Sequence, residues 1–502
     1  MRPELPGFYF DEEKKKYFAI KGPIPGSKPC SSSRTKQNPE PEPIEEANYQ
    51  KRNKLKALKL LFSRELNGSA IPVNKKTSSF KEEIEKAQAS NPEVWRYGST
   101  ENIGDAALKQ FQVYIQTSEG LTRKNILVAG STGGCLSILR VSKAGQVSFD
   151  ESESQALNGG IECDPVSVLP RVNNVTEERE APRLIWRPAR SYLQALSSIS
   201  SIQSIGRYDA SEDFHCVKRA LITTLGSTGR GSIFLLNLSE EPYIVTTRSL
   251  QGNVSSECTI WTADCNIRGT HAAIGTDLGA ALVDLDTGAG SYFLRSKSDV
   301  FALQFHQSGN IVHCGLRNGA IASVDIRERP GRPPPRLTRH QIRNPSESKI
   351  SQTTTKKEWF ELKGNINPSR VIYMPKSLTC LKTLKTYDQY LMASSMDGTI
   401  KLYDQRMVKR GVAVQTYVGH VNSHTRIEFG IDPSERFLMS GGDDCYTRIW
   451  SIKSGQLLSE NKFSNTVPSV VCWSAVEGQR DLKDSIVHGA WLGSREAIFN
   501  IF

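Results

Sequence analysis

The chain has 502 residues, 38% of them hydrophobic, with a formal net charge of +11. That is enough apolar material for a large core with sizeable segments outside it, and no apolar run approaches the roughly 20 residues that span a bilayer. The first sixteen residues mix acidic and basic side chains where a secretory leader has an apolar centre, so the expected location is nucleus, cytoplasm or both.

Residues 1–104 read as an N-terminal extension. It opens with an aromatic segment, 2–18, in which Phe8, Tyr9, Phe10, Tyr17 and Phe18 flank a lysine-rich centre behind the turn signal Pro6-Gly7. Two readings stand open, a hairpin folded on a domain rim and a docking peptide whose aromatics a partner covers. Residues 22–48, rich in Pro, Ser and Glu, read as a disordered linker. Residues 49–66 follow with Leu55, Leu58, Leu61, Phe62 and Leu66 at helical spacing and lysines opposite, an amphipathic helix whose stripe must be buried on the chain itself or on a partner. A second helix is expected from Ser79 to Ala89, ahead of Asn91-Pro92.

From about residue 105 the pattern changes to period two. Phe111–Thr117 alternates like a strand and is expected to supply or pair with an outer strand that closes a ring. After it a strand, tight turn and strand unit recurs, with turn anchors at Gly134, Gly231, Gly279, Gly319, Gly398, Cys445 and Gly493. Five residues past each anchor stand Leu139, Leu236, Asp284, Val324, Tyr403, Trp450 and Ile498, apolar or aromatic in six of the seven. A hairpin that cannot bury its own apolar face needs stacked copies of itself, and steps of 48, 40, 47 and 48 residues suit a four-stranded propeller blade of roughly 40–45 residues. Two longer steps, 97 and 79 residues, are read as blades carrying inserted loops at about 142–215 and 328–370, with an eighth blade hidden in the first as the alternative. The fold class is all-β, a seven-bladed WD-repeat β-propeller over 105–502, preceded by a partly helical, partly disordered extension.

The positive charge is uneven. Residues 1–100 hold 19 Lys or Arg against 13 Asp or Glu, and 328–370 hold 10 against 4, which leaves the rest near neutral. A basic tail and loop can touch nucleic acid through phosphates, while a dedicated binder puts its field on the folded surface.

No catalytic constellation is legible. The eight histidines stand in no nucleophile motif, and GSTGG at 130 and GSTGRG at 226 fall in hairpin turns, where glycine supplies turn geometry. The ten cysteines are scattered without CxxC pairs or neighbouring histidines, as reduced core residues are. The expectation is a protein that is not an enzyme and holds neither metal nor cofactor. His420, Asp444 and Trp450 stand where WD-repeat blades place a hydrogen-bonded His, turn Asp and Trp, a structural set locking strand to turn.

Two hairpins end alike, Val324-Asp325-Ile326-Arg327 and Tyr403-Asp404-Gln405-Arg406. Asp followed two residues later by Arg puts a guanidinium on one face of the disc in successive blades, and its planar donors suit carboxylates and carbonyls of a partner. Pairing of Asp325 with Arg327 and of Asp404 with Arg406 inside the blade is the plainer reading. The next blade has Lys453 at the equivalent position.

The chain resembles the WD-repeat substrate receptors of cullin-4 E3 ubiquitin ligases. The resemblance rests on PELPGFYFDEEKKKYF at the N-terminus, YLMASSMDGTIKLYDQR, and GHVNSHTRIEFGIDPSERFLMSGGDDCYTRIWSIKSGQLL. It implies a receptor that clips onto the ligase's damaged-DNA-binding adaptor and presents an unidentified protein substrate. By position Asp325, Arg327, Asp404 and Arg406 match the family's adaptor-docking motif, with Val324 and Tyr403 where the family usually has Trp. Leu55, Leu58 and Phe62 are a second expected adaptor contact. The alternative is a propeller scaffold in a nuclear or ribonucleoprotein assembly.

Overall fold

The structure is a computed structural model; it describes residues 8–11, 16–19, most of 80–327, the segments 339–341 and 359–364, and 371–502 apart from 411 and 475–488. The linker 22–48 and the amphipathic helix 49–66 with Leu55, Leu58 and Phe62 lie outside the described residues. At the N-terminus Phe8–Asp11 pairs antiparallel with Lys16–Ala19, a two-stranded hairpin within the aromatic segment. The second expected helix is present as α1, Phe80–Ser90.

From Val94 onward the chain forms seven sheets of four or more strands, antiparallel but for a short parallel pairing of Gln251–Gly252 with blade 3, the blades of a propeller. In blade 5, for example, Leu378–Thr383 is innermost, Tyr390–Ser395 and Ile400–Asp404 are the middle pair, and Gln415–Tyr417 is outermost. Five of the seven turn anchors fall between the two middle strands of successive blades, while Gly279 opens the third strand of blade 3 and Gly493 closes the second strand of blade 7. Their chemistry is visible at Gly398: its backbone is left-handed at φ 78°, and a Cβ there would lie 2.8 Å from the His420 carbonyl. Before it, the Asp397 carboxylate accepts the Thr399 N–H and hydroxyl at 3.0 and 2.6 Å.

Strand direction defines two faces. Innermost strands begin on the entry face, where the middle pairs also turn; they end on the exit face, where the third strands end too. Apolar residues alternating along these strands meet between blades. Met392 and Leu402 of blade 5 pack with Phe429, Leu438 and Trp450 of blade 6, all fully buried, and each such side chain contributes about 1.5–3 kcal/mol.

Ring closure departs from the sequence reading. Phe111–Thr117 belongs to Ala107–Thr117, the innermost strand of blade 1, not an outer strand. The closing strand is Val94–Tyr97, which pairs with Ile498–Ile501 of blade 7 in the register Val94↔Ile501 to Tyr97↔Ile498. The propeller therefore takes in residues ahead of 105. Trp95 and Tyr97 are buried at this seam, with the Tyr97 ring 5.5 Å from that of Trp491.

The long steps also contain more structure than loops. In the first, Arg183–Trp186 and Tyr192–Gln194 together edge blade 1, and Cys163–Val166 adds a fifth strand to blade 7 outside Val94–Tyr97. The interval serves existing blades and builds no eighth among the described residues. In the second, Arg339–Gln341 and Trp359–Gly364 form a hairpin that pairs with Ala289–Ser296 and widens blade 3. Backbone pairing of this kind needs no apolar face, which is why a Pro-rich, charged segment concealed it.

The Asp284 exception in the apolar slot has a simple cause. Thr276 pairs directly with Gly279 across a two-residue turn, so blade 3 is one residue short there, and Val283, fully buried, fills the slot. Asp284 thereby becomes the equivalent of Asp325.

Candidate protein-docking face

Asp325 closes the third strand of blade 4 and Asp404 that of blade 5, so both pairs stand on the exit face of adjacent blades. The chain turns immediately after each, and the carboxylate caps that turn. Asp325 Oδ1 accepts the Arg327 N–H at 3.0 Å and its Nε–H at 3.0 Å, while Nη2 donates to Oδ2 at 2.6 Å. In blade 5 the Arg406 N–H donates to Asp404 Oδ1 at 2.8 Å, Nε–H to the same oxygen at 3.0 Å, and Nη2 to Oδ2 at 2.6 Å. The intrablade pairing is thus formed in both blades, and it coexists with presentation. The arginine side chains are 66% and 52% exposed, their aspartates 14% and 1%. A bidentate clamp fixes each guanidinium plane while more than half of each arginine side chain stays exposed. Val324 and Tyr403 before the aspartates are buried, as the slot demands.

Asp284, the equivalent in blade 3, caps its turn without an arginine, accepting N–H groups of Asp286 and Thr287 at 3.0 and 2.7 Å. Those bonds, Thr287 foremost, hold its carboxyl below the ordinary range. The arginine pair is therefore confined to blades 4 and 5 among these three equivalent turns.

The same face carries residues that sequence reasoning missed. Gln307 Nε2 donates to the Lys385 carbonyl at 2.6 Å, tying the exit turn of blade 4 to that of blade 5. Glu435 of blade 6 accepts the N–H groups of Lys385 and, at 3.0 Å, of Thr386. Arg436 beside it pairs with Glu85 of α1. Three successive exit turns and a helix are thus stitched together around the two arginines. These residues recur in no motif, so no signal in the sequence could single them out.

In blade 6 and the link leading into it, the three residues expected to form one structural network are separately bonded. His420, buried, is 3.0 Å from the Gly441 carbonyl through Nε2; burial lowers its pKa. The Trp450 indole N–H donates to the Val418 carbonyl at 2.9 Å. Asp444 is clamped by Arg448, whose Nη1 lies 3.1 Å from Oδ1 and whose Nε–H also reaches Glu460 at 2.9 Å. Burial alone would raise the Asp444 pKa, and the Arg448 hydrogen bonds bring it below the usual value. The neighbouring Asp443 accepts the Ser423 N–H and hydroxyl at 2.7 and 2.8 Å, tying the turn to the link from blade 5. With Arg448 competing for it, Asp444 turns along its own strand instead.

No cluster of three or more metal-ligating side chains occurs among the described residues, and no helix there is long and apolar enough to cross a membrane.

Seven blades of this hairpin define the class, a WD-repeat β-propeller. Comparison with known proteins makes the resemblance particular. The chain is 24% identical over 473 residues to DDB1- and CUL4-associated factor 4 of Bos taurus, covering 93% of this chain and 79% of that protein. The Homo sapiens protein of the same name matches with the same identity and coverage. The Homo sapiens DDB1- and CUL4-associated factor 4-like protein 2 is 38% identical over 109 residues, 21% of this chain and 27% of that protein. The family model described as the DDB1- and CUL4-associated factor 4 beta-propeller domain matches residues 359–488, from the added strand of blade 3 to blade 7. The chain is similar to DDB1- and CUL4-associated factor 4 along nearly its whole length.

Proposed function

We propose that this protein is a non-catalytic substrate receptor that docks on the DDB1-type adaptor of a cullin-4 ubiquitin ligase and presents proteins for ubiquitination. Similarity over 93% of the chain to proteins named for association with DDB1 and CUL4 is the observation that carries this reading. Support at residue level comes from Arg327 and Arg406, held by their own aspartates on adjacent blades with more than half of each side chain exposed. Such arginines meet backbone carbonyls and carboxylates of a partner with little further ordering of side chains. Leu55, Leu58 and Phe62 are the second contact, an apolar helix face entering a groove on the adaptor.

The receptor makes and breaks no bonds in this scheme. Holding a substrate lysine near an activated ubiquitin raises its effective concentration. The entry face, turned away from the adaptor, is left for substrate, and the protein works in nucleus, cytoplasm or both.

Affinity capture of the wild type and of the double variant Arg327→Ala, Arg406→Ala, followed by mass spectrometry, tests the reading. The wild type is expected to retain the adaptor and the cullin, and the double variant, folded by circular dichroism, to lose at least tenfold of both. Capture of ligase components by neither protein would overturn it. Salt-sensitive RNA or DNA binding that vanishes on deletion of residues 328–370 would then favour the scaffold alternative.

A further inference from the structure

The innermost strands place equivalent residues at one level around the propeller axis, close to the exit turns. Pairing with the second strands puts Lys109 of blade 1, Asp264 of blade 3, Gln304 of blade 4 and Lys382 of blade 5 at that level. Hydrogen bonds to the next blade follow one rule there. Asp264 accepts the Phe305 N–H at 2.7 Å, Gln304 the Thr383 N–H at 3.0 Å, and Cys472 of blade 7 the Gln110 N–H at 3.3 Å. Asp264 also accepts the Cys265 N–H at 2.9 Å, so its carboxylate is spent on the wall.

The two lysines have no such outlet. Among the described residues neither ammonium has a carboxylate at ion-pairing distance, and the companion of Lys382 is the face of the Phe429 ring at 5.7 Å. Both side chains are half-buried. Strands of neighbouring blades flank them, so the accessible part faces the axial channel. Blades 1 and 5 stand on opposite sides of the ring, so the two side chains leave opposite walls of the channel, and their charges are within electrostatic reach of each other. Burial lowers the Lys109 pKa; Cys472 and Asp264 oppose that shift, while the charges of Lys382 and Lys385 add to it.

Toward the entry face the channel is crossed. Arg426, which leads into the innermost strand of blade 6, donates through Nη1 to the Ser200 carbonyl of blade 2 at 3.0 Å and the Trp261 carbonyl of blade 3 at 2.6 Å. Its charge is met by Glu428 at 3.0 Å. The opening that remains is on the exit face.

We propose that the exit mouth of this channel binds a small multivalent oxyanion of the phosphate class between the Lys109 and Lys382 ammonium groups. Two like charges facing each other in a partly desolvated channel repel, and a bridging dianion converts that repulsion into two attractive contacts. Lysine binds phosphate as a point charge, which suits two amines reaching in from opposite walls. The site does not depend on the receptor reading, because none of its residues belongs to the two Asp–Arg pairs.

The test is calorimetric titration of the full chain with inorganic pyrophosphate at ionic strength held constant with sodium chloride, beside the variant Lys109→Met, Lys382→Met. Saturable binding of one anion is expected in the wild type and a loss of at least tenfold in the variant. With no anion added, the variant should give the circular dichroism spectrum of the wild type. Should the double variant fail to fold, Lys109→Gln and Lys382→Gln taken singly are each expected to weaken binding severalfold. Equal binding by variant and wild type, or a response that never saturates and that sodium chloride reproduces, overturns the proposal. A parallel titration with phosphoserine separates sources: tighter pyrophosphate binding marks a free ion, tighter phosphoserine binding a phosphoryl group carried on a partner, and either supports the site.

Discussion

Arg406 keeps a carboxylate almost wholly out of water, while the equivalent Asp325 has 14% of its side chain exposed. The blade 5 pair is thus the more rigid of the two, and its guanidinium meets a partner with less motion to lose. A second residue shows what burial does to a titrating group. His313, in the second strand of blade 4, is fully buried, with Nδ1 2.8 Å from the Ser323 hydroxyl and no partner for Nε2 among the described residues. Burial, and then the charge of His306, lowers its pKa to about 3. Below pH about 6.5 the unfolded chain binds a proton that the folded chain refuses, so stability is complete above that pH and falls as pH drops toward 3. The loss attributable to one such group is about 1.4 kcal/mol per pH unit within that window. Denaturant unfolding of wild type and His313→Gln from pH 7 to 4 is expected to give a shallower decline in the variant. Parallel declines would show that other groups carry the acid sensitivity.

At the scale of elements, the closing strand decides whether a ring exists. Val94–Tyr97 pairs with Ile498–Ile501, joining the two ends of the propeller and removing an exposed sheet edge. Its anchor is Tyr97, fully buried against Trp491, with its hydroxyl donating to the Arg183 carbonyl at 2.8 Å. Tyr97→Ala is expected to cost about 3–5 kcal/mol, as truncation of a large buried aromatic does. Tyr97→Phe keeps the ring and loses one hydrogen bond, at about 1 kcal/mol. Thermal unfolding of the two variants checks the order; similar melting temperatures would mean that the seam is held by backbone pairing alone. Cys163–Val166 adds a further strand outside Val94–Tyr97, so part of the first insertion covers this seam.

For the whole molecule, the informative contact is the one across the axis. Arg426 links blade 6 to blades 2 and 3, almost a full diameter away, through two backbone carbonyls. Neighbouring blades already pack on each other, whereas this side chain couples segments that share no sheet. Arg426→Met retains the apolar stem and removes both bonds, leaving Glu428 without its charge partner. The expected loss is about 2–4 kcal/mol, since hydrogen bonds from a charged donor contribute about 1.5–3 kcal/mol each and are not additive. Denaturant titration checks it, and an unchanged midpoint would show that blade packing alone sets the stability.

Much of the propeller was legible from residue order because its unit is local. Turn anchors from Gly134 to Gly493 and period-two alternation are properties of single hairpins, and hairpins that cannot bury their own faces must stack. The Asp–Arg pairs were legible for the same reason, each lying within three residues. What residue order could not contain is anything made between distant segments. Which strand closes the ring is not legible in the sequence because Phe111–Thr117 alternates as any strand does and Val94–Tyr97 is too short to show a period, so only their partners tell them apart. The widened blade 3, the stitching of Gln307 and Glu435, and the arginine crossing the axis depend on partners 49 to 226 positions away. The meeting of Lys109 with Lys382 is of the same kind: each is an ordinary strand lysine by sequence, and the curvature of seven packed blades alone brings them to one mouth.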